Sequence, residues 1–158
     1  MKYTIPLETA KIASHMAGAM SVHLRAGDCL LLSGPVGAGK THFARAILHA
    51  MMARGGVIED VPSPTFTLVQ TYETVEGEVW HADLYRLTHS DELIELGLEE
   101  AFVDAITLVE WPDRLGGFRP ARHLDLHFSM PDLESDTRLL EITSIGPNWT
   151  WLENIAKW

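Results

Sequence analysis

The feature that most constrains the fold of this chain is the stretch Gly-Pro-Val-Gly-Ala-Gly-Lys-Thr at residues 34–41. It fits the pattern G-x-x-x-x-G-K-[S/T] of a phosphate-binding loop (P-loop), whose glycines let successive backbone N–H groups turn inward on a polyphosphate. The continuous apolar run at residues 29–32 predicts a buried strand before the loop. Apolar residues at helical spacing in residues 41–52 predict a helix after it, and a helix N terminus favours an anion. The sequence therefore predicts a strand–loop–helix unit that binds a nucleotide.

Two side chains of the P-loop have specific expected roles. Lys40 is expected to reach the β and γ phosphates, and the Thr41 hydroxyl is expected to ligate Mg²⁺. The alternative is a glycine-rich turn with a solvated lysine. The predicted strand before the loop and the predicted helix after it favour the nucleotide site over that alternative.

A P-loop site also needs an acidic residue on the metal side, at the end of a neighbouring strand. Glu110 is the best candidate, because it ends an apolar run at residues 106–109 that predicts a buried strand. A carboxylate in that position would lie at the carboxyl edge of the sheet, where α/β proteins bind ligands. Asp83 is the competing acid, and the sequence leaves open which of the two lies closer to the metal. A strand-end glutamate without a function is the other interpretation of Glu110.

Asp83 belongs to a segment, His-Ala-Asp-Leu-Tyr-Arg, that begins at His81. In a strand, His81, Asp83 and Tyr85 would share one face, whereas Ala82 and Leu84 would share the other. Three polar groups on one face of a buried strand favour a lined site over simple packing. The alternative for His81 alone is a hydrogen-bonded core residue.

The segment Ser-Pro-Thr-Phe-Thr at residues 63–67 is a further candidate part of the site. It lies downstream of the P-loop helix, where nucleotide switches keep a loop that responds to the γ-phosphate. Pro62 and Pro64 stiffen it. Two interpretations stay open, a loop that presents Thr65 to the γ-phosphate and a plain turn that enters a strand.

The remaining segments predict an α/β architecture from their hydrophobic periodicity. Strands are predicted at residues 29–32, 66–72, 79–85, 105–109, 123–128 and 138–145. Helices are predicted at residues 7–24, 41–52 and 99–103, from Asp91 with Ser90 as its cap, and from Pro147 with Trp151, Ile155 and Trp158 on one face. Glu76-Gly77 is predicted as a hairpin turn. This pattern favours a P-loop NTPase fold in three layers with a mixed central sheet, formed by one domain over residues 1–158.

Composition limits the partners. The chain has a formal net charge of −10, so it lacks the broad basic surface that nucleic acid would require, and any role on nucleic acid is expected to be indirect. Cys29 is the only cysteine, which excludes an internal disulfide and a cysteine zinc cluster. No apolar run approaches the roughly 18 residues of a membrane span, and we expect a cytoplasmic protein that does not contact a membrane.

Five segments occur in an order and spacing that resemble one family. They are residues 37–41, 63–69, 81–86, 95–98 (Glu-Leu-Gly-Leu) and 109–112 (Val-Glu-Trp-Pro). Together they resemble the bacterial TsaE family, the ATPases of tRNA threonylcarbamoyladenosine biosynthesis, over roughly residues 30–112. The P-loop is common to many families, whereas the segments at 63–69, 81–86 and 109–112 are specific. Two positions depart from the family pattern, Pro35 in place of a common acid and His42 in place of a usual second threonine.

The resemblance implies an ATPase that joins two paralogous partner proteins. Those partners build the threonylcarbamoyl group on adenosine 37 of tRNAs that read ANN codons, so this chain would meet tRNA only indirectly. Hydrolysis would drive the repeated cycle of the complex rather than the transfer itself. The implied cofactors are ATP and Mg²⁺.

The resemblance also implies roles for individual residues. Thr41 and Glu110 would hold Mg²⁺, and Asp83 would act at the γ-phosphate. Lys40, Asp83 and Glu110 are therefore the candidate catalytic residues. Trp111 would contact the nucleotide or a partner, Thr65 is kept as a nucleotide-loop candidate, and Thr9 would supply a nucleotide contact near the N terminus. The phosphates would be bound by Val36, Gly37, Ala38, Gly39, Lys40 and Thr41.

Two other functions compete with this one. A small-molecule kinase on this fold needs several arginines to clamp the transferred phosphoryl group, yet Arg114, Arg119 and Arg122 form the sole cluster among eight arginines. A guanine-nucleotide switch would need an Asn-Lys-x-Asp reader, but the only asparagines, Asn148 and Asn154, do not precede a lysine.

Overall fold

The computed structural model describes residues 1–157, and it is built around one sheet. The strands are β1 Lys2–Leu7, β2 Cys29–Ser33, β3 Val69–Thr74, β4 Gly77–Asp83, β5 Ile106–Glu110, β6 His123–Ser129 and β7 Arg138–Ile145. The helices are α1 Ala10–Ser21, α2 Lys40–Arg54, α3 Glu92–Leu96, α4 Leu98–Asp104 and α5 Leu152–Ala156, with a 3₁₀ segment at Pro112–Phe118 that is kinked at Gly116. Within the described range, no helix is long and apolar enough to cross a membrane.

The sheet is mixed, as predicted. Its seven strands within residues 1–157 lie in the order β1-β7-β6-β2-β5-β4-β3. The pairs of β2 with β6, β2 with β5, and β4 with β5 are parallel. The pairs at the two edges, β1 with β7, β7 with β6, and β3 with β4, are antiparallel. The P-loop strand β2 therefore lies in the middle of the parallel part.

Both faces of the sheet are covered, which makes three layers and confirms the predicted fold class. On β2, Leu30 and Leu32 belong to the core shared with α1, α2 and α5, where Phe43 is fully buried. Leu31 points to the opposite face and packs in the core shared with α3 and α4, which includes Phe102. Because alternate residues of a strand point to opposite faces, a strand covered on both sides reads as a continuous apolar run.

The N-terminal region differs from the prediction. Residues 2–7 form the edge strand β1, in which Ile5 and Leu7 are buried. Leu7 had been predicted as the first residue of a helix, and no strand was predicted before it. Helix α1 begins at Ala10, because the Thr9 hydroxyl accepts a hydrogen bond from the Ile12 amide at 3.1 Å and caps the first turn. The helix ends at Ser21, and Leu24 is buried in the loop that follows.

Strand β3 begins later, and strand β4 ends earlier, than predicted. Residues 66–68 form a turn rather than a strand, with Phe66 81% exposed and the Leu68 amide bonded to Pro64 O at 2.7 Å. Strand β4 ends at Asp83, so Tyr85 lies beyond the strand rather than in it. The predicted hairpin is confirmed, since Thr74 pairs with Gly77, but its turn is formed by Val75 and Glu76, one residue earlier than predicted.

Two helix starts also differ. Helix α3 begins at Glu92 with Asp91 at the cap position, and Ser90 does not cap it with its side chain. The Glu92 carboxylate instead accepts from the Thr88 hydroxyl and the His89 amide, which holds the turn. The last helix, α5, starts at Leu152 rather than Pro147, because residues 147–151 are used to bury Trp149. Trp158, which was predicted to share one face of this helix with Trp151 and Ile155, lies outside the described residues.

Candidate nucleotide-binding site

The site lies where the parallel strands end. Strand β2 leads directly into the P-loop, and β5 and β4 lie beside it on one side. Leu32 pairs with Glu110, and Glu110 pairs with Asp83, so both predicted acids follow the same sheet edge. This is the edge at which open α/β sheets bind ligands.

Glycines give the P-loop its shape for two different reasons. Gly34 has φ +134°, and a Cβ at this position would lie 2.3 Å from the Phe128 carbonyl oxygen, so only glycine fits against β6. Gly37 and Gly39 have φ +84° and +107°, but a Cβ at either would meet nothing within 4 Å. These two glycines therefore serve the backbone path and leave open space above the loop.

Lys40 lies buried over the P-loop. Its Nζ donates to Gly34 O at 2.5 Å and to Pro35 O at 2.9 Å, and it lies 4.3 Å from the centre of the Trp111 ring. Burial lowers the pKa of Lys40, while the nearby Glu110 and Asp83 carboxylates oppose that shift. The lysine thus places a cation in the cleft with carbonyl oxygens as its hydrogen-bond partners.

Thr41 and Glu110 lie in direct contact. The Thr41 hydroxyl donates to Glu110 Oε1 at 2.6 Å, and His81 Nε2 lies 2.7 Å from the other oxygen, Glu110 Oε2. A threonine hydroxyl and a carboxylate are hard oxygen donors, and Mg²⁺ binds such donors in small number together with substrate phosphates. The residues at this point of the cleft fit a Mg²⁺ ion that accompanies a nucleotide.

Asp83 is engaged by the loop at residues 63–65. Its Oδ2 accepts from Ser63 Oγ and Thr65 Oγ1, each at 3.2 Å, and its Oδ1 accepts from the Tyr85 amide at 3.1 Å. The structure therefore brings Thr65 and Asp83 together at the cleft, and it shows that Asp83 fastens the loop to the end of β4.

Trp111 and Tyr85 form an aromatic pair beside Asp83 and Glu110. Trp111 directly follows Glu110 and has φ +59°, a left-handed conformation that is uncommon for a bulky residue. Its ring lies 4.9 Å from the Tyr85 ring at an angle of 47°. This turn of the backbone after β5 lets Trp111 lie over the Lys40 ammonium group.

Nine of the eleven predicted site residues line one cavity of about 430 Å³, which we call the nucleotide cleft. They are Val36, Gly37, Gly39, Lys40, Thr41, Thr65, Asp83, Glu110 and Trp111. The other two, Thr9 and Ala38, line a second cavity of about 400 Å³ on the far side of the P-loop. Gly37, Gly39 and His42 border both cavities, so the two are adjacent.

The predicted set omitted several residues that the structure places at these cavities. Ser63, Tyr85 and His42 line the nucleotide cleft, and each belongs to a segment that the sequence had already singled out. Asp136 and Arg138 line the second cavity, and Arg138 Nη2 lies 3.4 Å from Gly37 O. No motif pointed to this last pair, since β7 reaches the P-loop only through the sheet topology.

Fold and site together define a protein of the P-loop NTPase fold. The crystal structure of Bacillus subtilis YdiB aligns with it at a TM-score of 0.77, over 99% of this chain and 95% of that chain. Only 22% of the aligned residues are identical, so this similarity is one of fold.

Sequence comparison is more specific. Residues 7–139 match the family described as threonylcarbamoyl adenosine biosynthesis protein TsaE. The tRNA threonylcarbamoyladenosine biosynthesis protein TsaE of Rickettsia bellii is 36% identical over 138 residues, which cover 87% of this chain and 92% of that protein. Its counterpart in Haemophilus influenzae is 32% identical over 130 residues, 82% of this chain and 80% of that protein. The chain belongs to the TsaE family of tRNA threonylcarbamoyladenosine biosynthesis, as the resemblance predicted.

Proposed function

We propose that this chain is a Mg²⁺-dependent ATPase that works with two paralogous partner proteins in the threonylcarbamoylation of adenosine 37 of tRNA. The observation that carries the proposal is the contact of Thr41 Oγ1 with Glu110 Oε1 at 2.6 Å, beside the buried Lys40 cation in one cleft. Membership of the TsaE family supports the pathway. The whole chain, residues 1–158, acts as one cytoplasmic domain and meets tRNA only through its partners.

The P-loop binds the triphosphate. The backbone N–H groups of residues 36–41 surround the β and γ phosphates, and the N terminus of α2 adds its dipole. Lys40 Nζ exchanges the Gly34 and Pro35 carbonyl oxygens for phosphate oxygens, a short movement for a side chain with four torsions. Thr9 and Ala38 line the second cavity, which we assign to the nucleoside end of ATP.

Glu110 and Asp83 have different roles. Thr41 Oγ1 and the Glu110 carboxylate hold Mg²⁺, which when bound neutralises charge that develops on the phosphate oxygens. Asp83 keeps the Thr65 hydroxyl at the γ-phosphate end of the cleft through its 3.2 Å hydrogen bond. Hydrolysis adds water to the γ-phosphorus and breaks its bond to ADP, so residues that fix this geometry act mainly on the transition state.

The arginines favour an ATPase over a kinase. The residues that line the nucleotide cleft in the described chain include no arginine. Arg122 of the predicted cluster is bound to Asp28 at 2.6 Å, and Arg119 reaches Asp125 at 3.5 Å. Without an arginine at the γ-phosphate, hydrolysis by the isolated chain should be slow, and partner proteins should accelerate it.

Phosphate release tests this proposal. We expect slow release from ATP by the isolated chain without any acceptor, faster release when both partner proteins are added, and weaker binding of GTP than of ATP. Release that depends on a small-molecule acceptor would support the kinase instead. Fast turnover by the isolated chain would contradict the role of the partners.

Complementation tests the pathway. In cells that lack their own TsaE protein, the wild-type chain should restore threonylcarbamoyladenosine in tRNA, and Lys40→Ala should not. Lys11→Ala is the matched control, because Lys11 is exposed on α1 and its loss changes the net charge equally. No modification with the wild-type chain, expressed with its own partners, would refute the proposed function.

A further inference from the structure

His81 is a buried polar residue that the proposed mechanism does not use. It lies on β4 next to β5, where it pairs with Leu108, and its side chain is fully buried. Its Nε2 lies 2.7 Å from Glu110 Oε2, on the side of the carboxylate away from Thr41. A carboxylate oxygen accepts hydrogen bonds, so in this contact Nε2 carries the proton and donates.

The other ring nitrogen argues against a purely structural role. His81 Nδ1 is buried and has no hydrogen-bond partner within residues 1–157. Burial of a polar atom without a partner costs free energy, so an apolar ring of similar size would fill the same space more favourably. The one described hydrogen bond of the imidazole ring is the bond to Glu110, and that bond is what an apolar ring would lose.

Glu110 needs to be held. A glutamate side chain has three torsions, and a carboxylate that turns away from Thr41 removes one of the two oxygens that face each other at 2.6 Å. Because Thr41 contacts Oε1 and His81 contacts Oε2, the two hydrogen bonds together fix the plane of the carboxylate. The oxygen that would face Mg²⁺ is Oε1, so Oε2 is the oxygen free to fix the carboxylate, and His81 is its hydrogen-bond partner.

We propose that His81 is a positioning residue, whose Nε2–H hydrogen bond to Glu110 Oε2 keeps Oε1 oriented for the Mg²⁺ ion of the bound nucleotide. This inference rests on the proposed function, because it assumes that the cleft takes a Mg²⁺–nucleotide. Outer partners that orient a metal ligand typically contribute about 10- to 100-fold in metal affinity. Loss of this hydrogen bond should therefore lower the affinity for Mg²⁺ and leave the affinity for the nucleotide without Mg²⁺ unchanged.

The test titrates Mg²⁺ into the full chain with a fluorescent ATP analogue, and repeats nucleotide binding in EDTA. His81→Phe fills the space without a donor and should raise the Mg²⁺ midpoint about 10- to 100-fold. Its nucleotide affinity in EDTA should stay within about threefold of wild type. His81→Gln has an amide nitrogen as many bonds from the backbone as Nε2, and should return the midpoint to within about threefold.

A matched control separates positioning from stability. His123 is also a buried strand histidine, but its Nδ1 donates to the Pro120 carbonyl at 2.8 Å, and it does not line the nucleotide cleft. His123→Phe should lower Tm and leave the Mg²⁺ midpoint unchanged. The proposal is overturned if His81→Phe lowers Tm but leaves the Mg²⁺ midpoint unchanged. It is also overturned if His81→Gln folds but has a Mg²⁺ midpoint as high as that of His81→Phe.

A measurement on the wild-type protein keeps the proposal testable if His81→Phe does not fold. Nitrogen chemical shifts of labelled histidine, assigned with His81→Gln, should show the proton on Nε2, and a proton on Nδ1 alone would overturn the proposal. If the wild-type chain shows no Mg²⁺-dependent nucleotide affinity, the proposed function fails and this inference with it. If the wild type shows it and His81→Phe keeps the wild-type midpoint, the inference alone fails.

Discussion

Replacing Glu110 by glutamine separates the shape of its side chain from its charge. In the structure, both Glu110 oxygens accept hydrogen bonds, from Thr41 Oγ1 and from His81 Nε2. In Glu110→Gln the amide oxygen can face His81, while the amide nitrogen donates to the Thr41 hydroxyl, which rotates to accept. All partners are then kept, so the free energy of unfolding without nucleotide should change by no more than about 1 kcal/mol.

The effect of Glu110→Gln on stability should appear when Mg²⁺ and nucleotide are bound. A ligand at 100 times its Kd raises the free energy of unfolding by about 2.7 kcal/mol, and a tenfold loss of affinity reduces this to about 1.4 kcal/mol. For a chain of this size, about 1 kcal/mol shifts Tm by roughly 2–4 °C. Wild type should therefore gain about 5–11 °C with Mg²⁺ and a slowly hydrolysed ATP analogue, and Glu110→Gln about 3–5 °C less.

Hydrolysis should suffer more than binding. The lost charge acts where the phosphoryl group develops charge, so phosphate release with partners should fall about 100-fold or more, while ATP affinity falls about tenfold or less. Thermal unfolding and phosphate release are measured on the same samples. Glu141→Gln is the control, because Glu141 lies on β7, where it pairs with Lys2 and not with residues of the cleft. Normal hydrolysis by Glu110→Gln would refute the assignment of Glu110.

Two further predictions concern the loops that border the cleft. Asp83→Asn should bind ATP within about tenfold of wild type and lose about 100-fold in hydrolysis, because its hold on Thr65 is weakened; normal hydrolysis in a phosphate-release assay would contradict this. Gly34→Ala should lower the free energy of unfolding by about 2–6 kcal/mol, from a strained φ of +134° and a contact of 2.3 Å with Phe128 O. Gly37→Ala, strained but without a clash, should cost only about 1–3 kcal/mol, and equal urea-unfolding results for the two would refute this account of the P-loop.

The features that could be predicted from the sequence are those with a local cause. The P-loop needs glycine in particular backbone positions, and the apolar run of β2 is continuous because both faces of that strand are covered. Glu110 could be predicted because it follows a buried parallel strand, and strand ends of this kind meet at one sheet edge. Asp83 was predicted from another argument, the polar face that it would share with His81 and Tyr85 in a strand.

The features that could not be predicted depend on contacts between distant segments. Strand β1 lies at the edge of the sheet and forms through its pairing with β7, more than 130 residues away. Asp83 fastens the loop with Ser63 and Thr65, a contact that neither segment reveals alone. Helix α1 starts at Ala10 rather than at the predicted residue 7, since Thr9 caps its first turn and residues 2–7 pair in the sheet.

The central claim is that Lys40 and the P-loop bind ATP, and titration of a fluorescent ATP analogue tests it most directly. Lys40 is the one lysine or arginine that lines the nucleotide cleft in the described chain, so Lys40→Ala removes the permanent side-chain cation that would compensate the phosphate charges. The account predicts saturable binding by wild type and by Lys11→Ala, and an affinity about 10- to 100-fold weaker for Lys40→Ala. Equal affinity for Lys40→Ala and wild type would contradict the assignment of this cleft to a nucleotide.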